Sequence, residues 1–145
     1  MNPDALLERL RGLGFRVELL REGPVRGVRD YEVLHGGRHL AYLRVFEGRP
    51  PYYRAWVEVY GVDWSMREAA ERLIEAVAGS LEERGEKVFV EYSGLEDVDR
   101  MLLQGVDPAE TWLGRILARR GLRVWDMYYP EGFMEGGPKL VGEKL

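Results

Sequence analysis

The chain has 145 residues, 46% of them hydrophobic and 32% charged, with a formal net charge of −4 and no cysteine. That is the length of a single domain, 1–145, and enough to bury roughly two-thirds of the unfolded surface. An acidic chain without a basic cluster argues against nucleic acid as a partner, and the missing cysteines exclude disulfides, thiolate catalysis and cysteine-ligated metals.

Asn2-Pro3 reads as a helix start with proline at the first helical position, and Leu6, Leu7, Leu10 and Leu13 form its apolar stripe up to Gly12 or Gly14. Phe15 to Leu20 is a short strand, followed by a turn at Gly23-Pro24. The runs from Tyr31 to Leu34 and from Arg38 to Phe46 flank His35-Gly36-Gly37, a hairpin signal. After a turn at Gly48 to Pro51, Arg54 to Tyr60 alternates with aromatic and β-branched residues, as a strand does.

The next helix is expected from Ser65, with Glu68 completing a capping box, to Gly85. Met66, Ala69, Ala70, Leu73, Ile74, Val77, Ala78 and Leu81 repeat at the 3.6 period. Burying that stripe on a sheet is worth on the order of 10 kcal/mol before entropy. Lys87 to Tyr92 returns as a strand, so this middle section reads as strand, crossover helix and parallel strand. A short helix around Val98 to Leu103, a helix opening at Asp107-Pro108, a strand from Leu122 to Tyr129, a Gly-rich turn from Pro130 to Pro138 and a final antiparallel strand complete the chain. The fold class expected is α+β, a mixed sheet around one parallel strand–helix–strand unit with flanking helices.

No apolar run approaches the ~20 residues that cross a bilayer, and the amphipathic start is unlike a signal or transit peptide. A cytoplasmic location and no membrane partner are expected. Asn2 and Gln104 are the lone side-chain amides amid many Glu and Arg residues, a bias found in thermophiles.

This order of elements resembles the GNAT acyltransferase fold. Leu113-Gly-Arg-Ile-Leu-Ala-Arg-Arg-Gly-Leu-Arg-Val-Trp-Asp-Met-Tyr-Tyr129 is similar to that superfamily's second motif, in which a helix ends at glycine and the next strand carries tyrosines. Val88-Phe-Val-Glu-Tyr92, Asp107-Pro-Ala-Glu-Thr111 and Tyr128-Tyr-Pro-Glu-Gly132 also resemble an uncharacterised, acetyltransferase-like family of thermophilic prokaryotes. The resemblance implies an N-acyltransferase using acetyl-CoA or another acyl-CoA, with an amine as the acceptor. Its cofactor would lie along Val59, Tyr60, Gly61, Ser65, Met66 and Arg67. One departure stands out: Asp63, Met66 and Glu68 occupy the basic-or-polar and first two glycine positions of the superfamily's cofactor loop, with Ala70 at the third small position. Each carboxylate beside a pyrophosphate would repel it by ~1 kcal/mol or more.

Amide-forming acyl transfer needs a base for the amine and an acid for the leaving thiolate. The resemblance points to Glu58 as the base, on the first central strand, and to Tyr128 or Tyr129 as the acid. Glu91 and Tyr92 stand at the carboxyl end of the second parallel strand, where such sheets hold ligands, so the base is expected to be Glu91 or Glu58. Tyr92, Glu131 and Glu135 are the candidates for holding an amine. One main pocket is expected, walled by Tyr60, Glu91, Tyr92 and the loop from Tyr129 to Gly137. His35 and His39 lack the further ligands a metal needs and read as turn residues, so no metal is expected. Ser65, Ser80 and Ser93 lack a nucleophile elbow, and Arg115, Arg119 and Arg120 read as a solvated helix face. The alternative to an enzyme is a small-molecule-binding or oligomerising module on the same fold, a homodimer included.

Overall fold

The computed structural model describes residues 1–22, 26–128 and 135–145. Its strands are β1 (Arg16–Glu22), β2 (Val28–His35), β3 (Arg38–Phe46), β4 (Trp56–Tyr60), β5 (Lys87–Glu91), β6 (Leu122–Met127) and β7 (Lys139–Lys144). They form one sheet in the order β1-β2-β3-β4-β5-β7-β6. The helices are α1 (Pro3–Gly12), α2 (Arg67–Gly79), α3 (Glu96–Leu103) and α4 (Trp112–Ala118). β4 and β5 are parallel, with Val57 opposite Val88 and Val59 opposite Val90. The remaining pairings are antiparallel. The mixed α+β class and its central parallel unit are as the sequence predicts.

Local chemistry accounts for most boundaries. Asn2 caps α1 through Oδ1, which accepts from the Asp4 and Ala5 N–H groups. Both ends of α2 differ from expectation. Ser65 and Glu68 form no capping box: the Asp63 carboxylate takes both the Ser65 N–H and its hydroxyl, and a 3₁₀ turn over Trp64–Met66 precedes α2. A single oxygen of Asp63, two residues closer to the strand than Ser65, accepts from both donors. At its other end α2 stops at Gly79 instead of Gly85. There Ser80 Oγ donates to the Val77 carbonyl, while the buried Glu86 carboxylate collects the N–H groups of Glu82 and Glu83. Those bonds wind the following residues into a turn.

The helix expected at Asp107-Pro108 is also interrupted. Asp107 caps only a 3₁₀ turn, Pro108–Glu110, and Thr111 then caps α4 by accepting from Gly114 N–H. Gly114 permits this fold-back, since a Cβ there would lie 1.8 Å from the Pro108 carbonyl oxygen.

The pleat sorts residues onto two unlike faces. Val57, Val59, Val88, Val90 and Leu140 share one hydrophobic core with Leu6 and Leu10 of α1, Leu73, Ile74 and Val77 of α2, and Leu113 and Leu117 of α4. The opposite face carries an aromatic ladder, Phe46–Trp56–Phe89, with ring centroids 5.6 and 6.1 Å apart. Beside it lie the buried charged side chains of Asp30, Arg44, Glu58 and Lys139.

Candidate functional site

Register builds the charged part of this second face. Asp30 on β2 stands opposite Arg44 on β3, and Arg44 stands opposite Glu58 on β4. Arg44 grips Asp30 through two bonds, Nε to Oδ1 at 2.7 Å and Nη2 to Oδ2 at 3.0 Å. Arg21 of β1 adds a third at 2.7 Å. Glu58 Oε1 lies 3.0 Å from Lys139 Nζ on β7. Cations and anions therefore alternate from Arg21 through Asp30, Arg44 and Glu58 to Lys139, which is how buried charges are made tolerable.

Burial raises the carboxyl pKa of Asp30, but the hydrogen bonds from Arg44 and Arg21 outweigh it and hold the group below the ordinary aspartate range. At Glu58 the balance reverses: burial outweighs Lys139 and pushes the carboxyl up. Its Oε2 is buried and has no hydrogen-bond partner among the described residues. Tyr60, half-buried beside this row, is pushed up to about 12, by burial first and by Asp30 second.

The segment 135–138 is tied across these strands by charged side chains. The Glu135 N–H donates to Glu58 Oε1 at 2.8 Å, and the Gly137 N–H donates to Glu91 Oε2 at 2.5 Å. Lys139 Nζ returns bonds to the carbonyls of Glu135 and Gly137. The other Glu91 oxygen accepts from Gly61 N–H at 3.1 Å. That carboxylate thus bridges the end of β4 and the closing loop. The fit leaves no room for a side chain at Gly136, where a Cβ would meet Glu91 Oε2 at 1.6 Å. His39 holds the far side of Gly61. Its Nδ1 is 2.7 Å from Glu32 Oε2 and its Nε2 is 2.7 Å from the Gly61 carbonyl, so the ring donates to both only as imidazolium.

A separate cleft of about 190 Å³ opens on the helix side at the end of β5. Tyr92, Tyr128 and Pro138 line it with Ser93 and the first turn of α3, which offers Glu96 and Asp99. The Tyr92 hydroxyl donates to Asp126 at 2.7 Å, fixing the ring as a wall, and burial together with Asp126 raises its pKa. Asp97, between the two acidic residues, is committed to Val98 N–H and Trp112 Nε1. Glu96 and Asp99 have no side-chain hydrogen bond or ion pair among the described residues.

The single pocket expected at the strand ends is therefore two places. Glu58, Tyr60, Glu91 and Glu135 belong to the charged face, while Tyr92 and Tyr128 line the cleft. The division follows from period-two alternation, which sends Glu91 and Tyr92 to opposite sides of the sheet. Tyr129 and Glu131 lie outside the described residues. The expected cofactor positions are largely committed within the protein. Val59 is in the core, Gly61 is held by Glu91 and His39, Ser65 by Asp63, and Met66 packs against the core. Arg67 lies over the Trp112 ring, 3.7 Å from its centroid. Asp30, Arg44, Lys139, Glu96, Asp99 and Asp126 were not singled out from sequence. One signal for Arg44 was legible, a lone charge within the otherwise uncharged run from Leu40 to Phe46. Among the described residues no helix is long and apolar enough to cross a membrane, and no group of three or more His, Asp or Glu side chains is placed to hold a metal.

Comparison with known proteins places the chain by family. A comparison with curated proteins finds no match. A crystal structure of a protein of unknown function from Aquifex aeolicus VF5 is similar at 34% identity and a TM-score of 0.72, over 88% of this chain and 70% of that one. An acetyltransferase of the GNAT family from Streptococcus pneumoniae matches at a TM-score of 0.34 and 10% identity, over 83% of this chain and 68% of that one. That likeness is too slight to bear on fold or chemistry. The model of the family described as "Protein of unknown function (DUF1122)" matches residues 13–145, and the chain belongs to that family.

Proposed function

We propose that the protein binds a small cationic amine in the cleft at the carboxyl end of β5. The observation that carries this reading is the lining. Two tyrosines wall a cleft of about 190 Å³, and two carboxylates, Glu96 and Asp99, face it without partners among the described residues. An ammonium group suits both features, since carboxylates neutralise its charge and tyrosine faces attract it through their quadrupole. The committed state of Gly61, Ser65 and Met66 supports a binding role over coenzyme A chemistry in the superfamily's manner. The donors that a cofactor would use are taken by Glu91 and Asp63.

A second reading keeps the same amine and adds acyl transfer to it. The half-exposed Tyr128 ring in that cleft favours it, because the acyltransferase resemblance puts a thiolate-protonating tyrosine there. Calorimetric titration with spermidine, simple primary amines and amino acids tests the first reading. Binding is expected to weaken about tenfold or more in Asp99→Asn, in line with loss of one charge-assisted bond. No amine heat, or equal heats from parent and variant, rejects it. Turnover of acetyl-CoA with a bound amine, abolished in Tyr128→Phe while amine binding persists, would establish the second reading.

A further inference from the structure

On the other face of the sheet two arginines meet a carboxylate supplied by the chain itself. The Glu135 carboxylate lies 3.0 Å from Arg44 Nη2 and 3.9 Å from Arg21 Nη2. From this geometry we infer that Arg21 and Arg44 form a binding site for a small monocarboxylate, with Glu135 as its occupant in cis, a tethered competitor that an incoming carboxylate displaces.

Three features separate this arrangement from an ordinary surface ion pair. The receptor is built independently of its occupant. Arg44 is 1% exposed, and its guanidinium is fixed by the two bonds to Asp30 whether Glu135 is present or not. The occupant is held loosely by comparison. Its side chain is 45% exposed, and the second cation, Arg21, is 63% exposed, so water and solutes reach the carboxylate from outside. The Arg21–Glu135 pair, exposed on both sides, contributes little to stability. The loop main chain is fastened separately, by the Glu135 N–H on Glu58 and the Lys139 bonds to two carbonyls. The Glu135 side chain can therefore swing out while the loop stays anchored.

The present occupant indicates the ligand class. Glu135 is itself a monocarboxylate, set between the exposed Arg21 and the buried Arg44. A free monocarboxylate carries the same charge as that occupant and matches the planar fork of a guanidinium. A phosphate dianion would bring a further negative charge to a face that already buries the carboxylates of Asp30, Glu58 and Glu91.

The test is thermal-shift and calorimetric titration with potassium acetate against potassium chloride at equal ionic strength. The proteins are the parent chain, Glu135→Ala and the double variant Arg21→Ala/Glu135→Ala. Glu135→Ala is expected to bind acetate about tenfold or more tightly than the parent, because the parent's site is open only for the fraction of time that Glu135 is out. The parent should respond at correspondingly higher acetate, and the double variant should lose the response. Acetate acting on Glu135→Ala no better than chloride would overturn the proposal. So would equal affinities in parent and Glu135→Ala, which would locate acetate elsewhere. A response confined to the variant would show that Glu135 never yields and that the native protein has no such site. Inorganic phosphate outcompeting acetate on Glu135→Ala would overturn the monocarboxylate assignment. Circular dichroism of each variant checks that it is folded.

Discussion

The two faces of the central sheet solve the burial problem in opposite ways. On the helix side Val57, Val59, Val88 and Val90 are covered by Leu73, Ile74, Leu113 and Leu117, and the stabilisation scales with apolar area removed from water. On the other side the same strands bury Asp30, Arg44, Glu58 and Lys139, and each group is tolerable only because its neighbour has the opposite sign. Hydrocarbon contacts are non-directional and forgiving of small shifts. A row of alternating charges is not, since losing one member strands the next. The first face holds the fold together. The second is where the chain has given up stability for polar groups in fixed positions, and both the closing loop and the proposed carboxylate site lie there.

The contrast is most easily broken at Arg44. Arg44→Met should cost up to about 3–5 kcal/mol in urea denaturation by leaving the buried Asp30 with only the exposed Arg21 as its partner. The double variant Asp30→Leu/Arg44→Met should recover much of that loss, showing a coupling of about 0.5–3 kcal/mol. Additive losses would mean that the pair is not a unit. On the helix face Leu73→Ala should cost about 2–5 kcal/mol through lost transfer energy and a cavity. Combined with Arg44→Met it should be additive, since the two residues lie on opposite sides of the sheet.

Acid should weaken the ionic contacts while leaving the hydrocarbon core untouched. Asp30 has a folded pKa below its ordinary 3.8, so its contribution is present above that value and is lost as pH falls through the depressed folded one. Glu86, also lowered, acts in the same direction from its ordinary 4.5 downward. Melting temperature measured from pH 6 to pH 2 should fall over that acid limb, and Glu86→Gln should show a shallower fall than the parent. An unchanged slope would remove Glu86 from the account. The smallest effect belongs to Glu68. Since Asp63 and not Glu68 satisfies the donors before α2, Glu68→Ala should lie within about 0.5 kcal/mol of the parent, while Asp63→Ala should cost about 1 kcal/mol. Reversal of that order would restore the capping box.

Local chemistry is why so much of the architecture can be read from residues. The Leu73-Ile74-Val77 periodicity, Asn2-Pro3, the Gly36-Gly37 hairpin and the alternation in β4 each act within a few residues, and α2 with its two parallel strands follows from them. Boundaries were less legible where donors had competing acceptors, as at Ser65, where Asp63 outbids Glu68, and at Thr111, where Gly114 lets a 3₁₀ turn fold back. The site was legible only in its ingredients. Glu58, Glu91, Tyr92, Tyr128 and Glu135 were candidates, but their grouping needed registers that no local signal carries.

The sequence by itself thus determined the elements, the parallel unit and the supply of carboxylates and tyrosines at the strand ends, because propensity, capping and hydrophobic period are short-range. Only the tertiary structure decided which of those groups meet. Asp30 meets Arg44 through the register of one hairpin, while Glu58 meets Lys139 and Glu91 meets Gly137 because segments distant in sequence are aligned in one sheet, and a slip of a single residue would turn Asp30, Arg44, Glu58 or Glu91 to the opposite face.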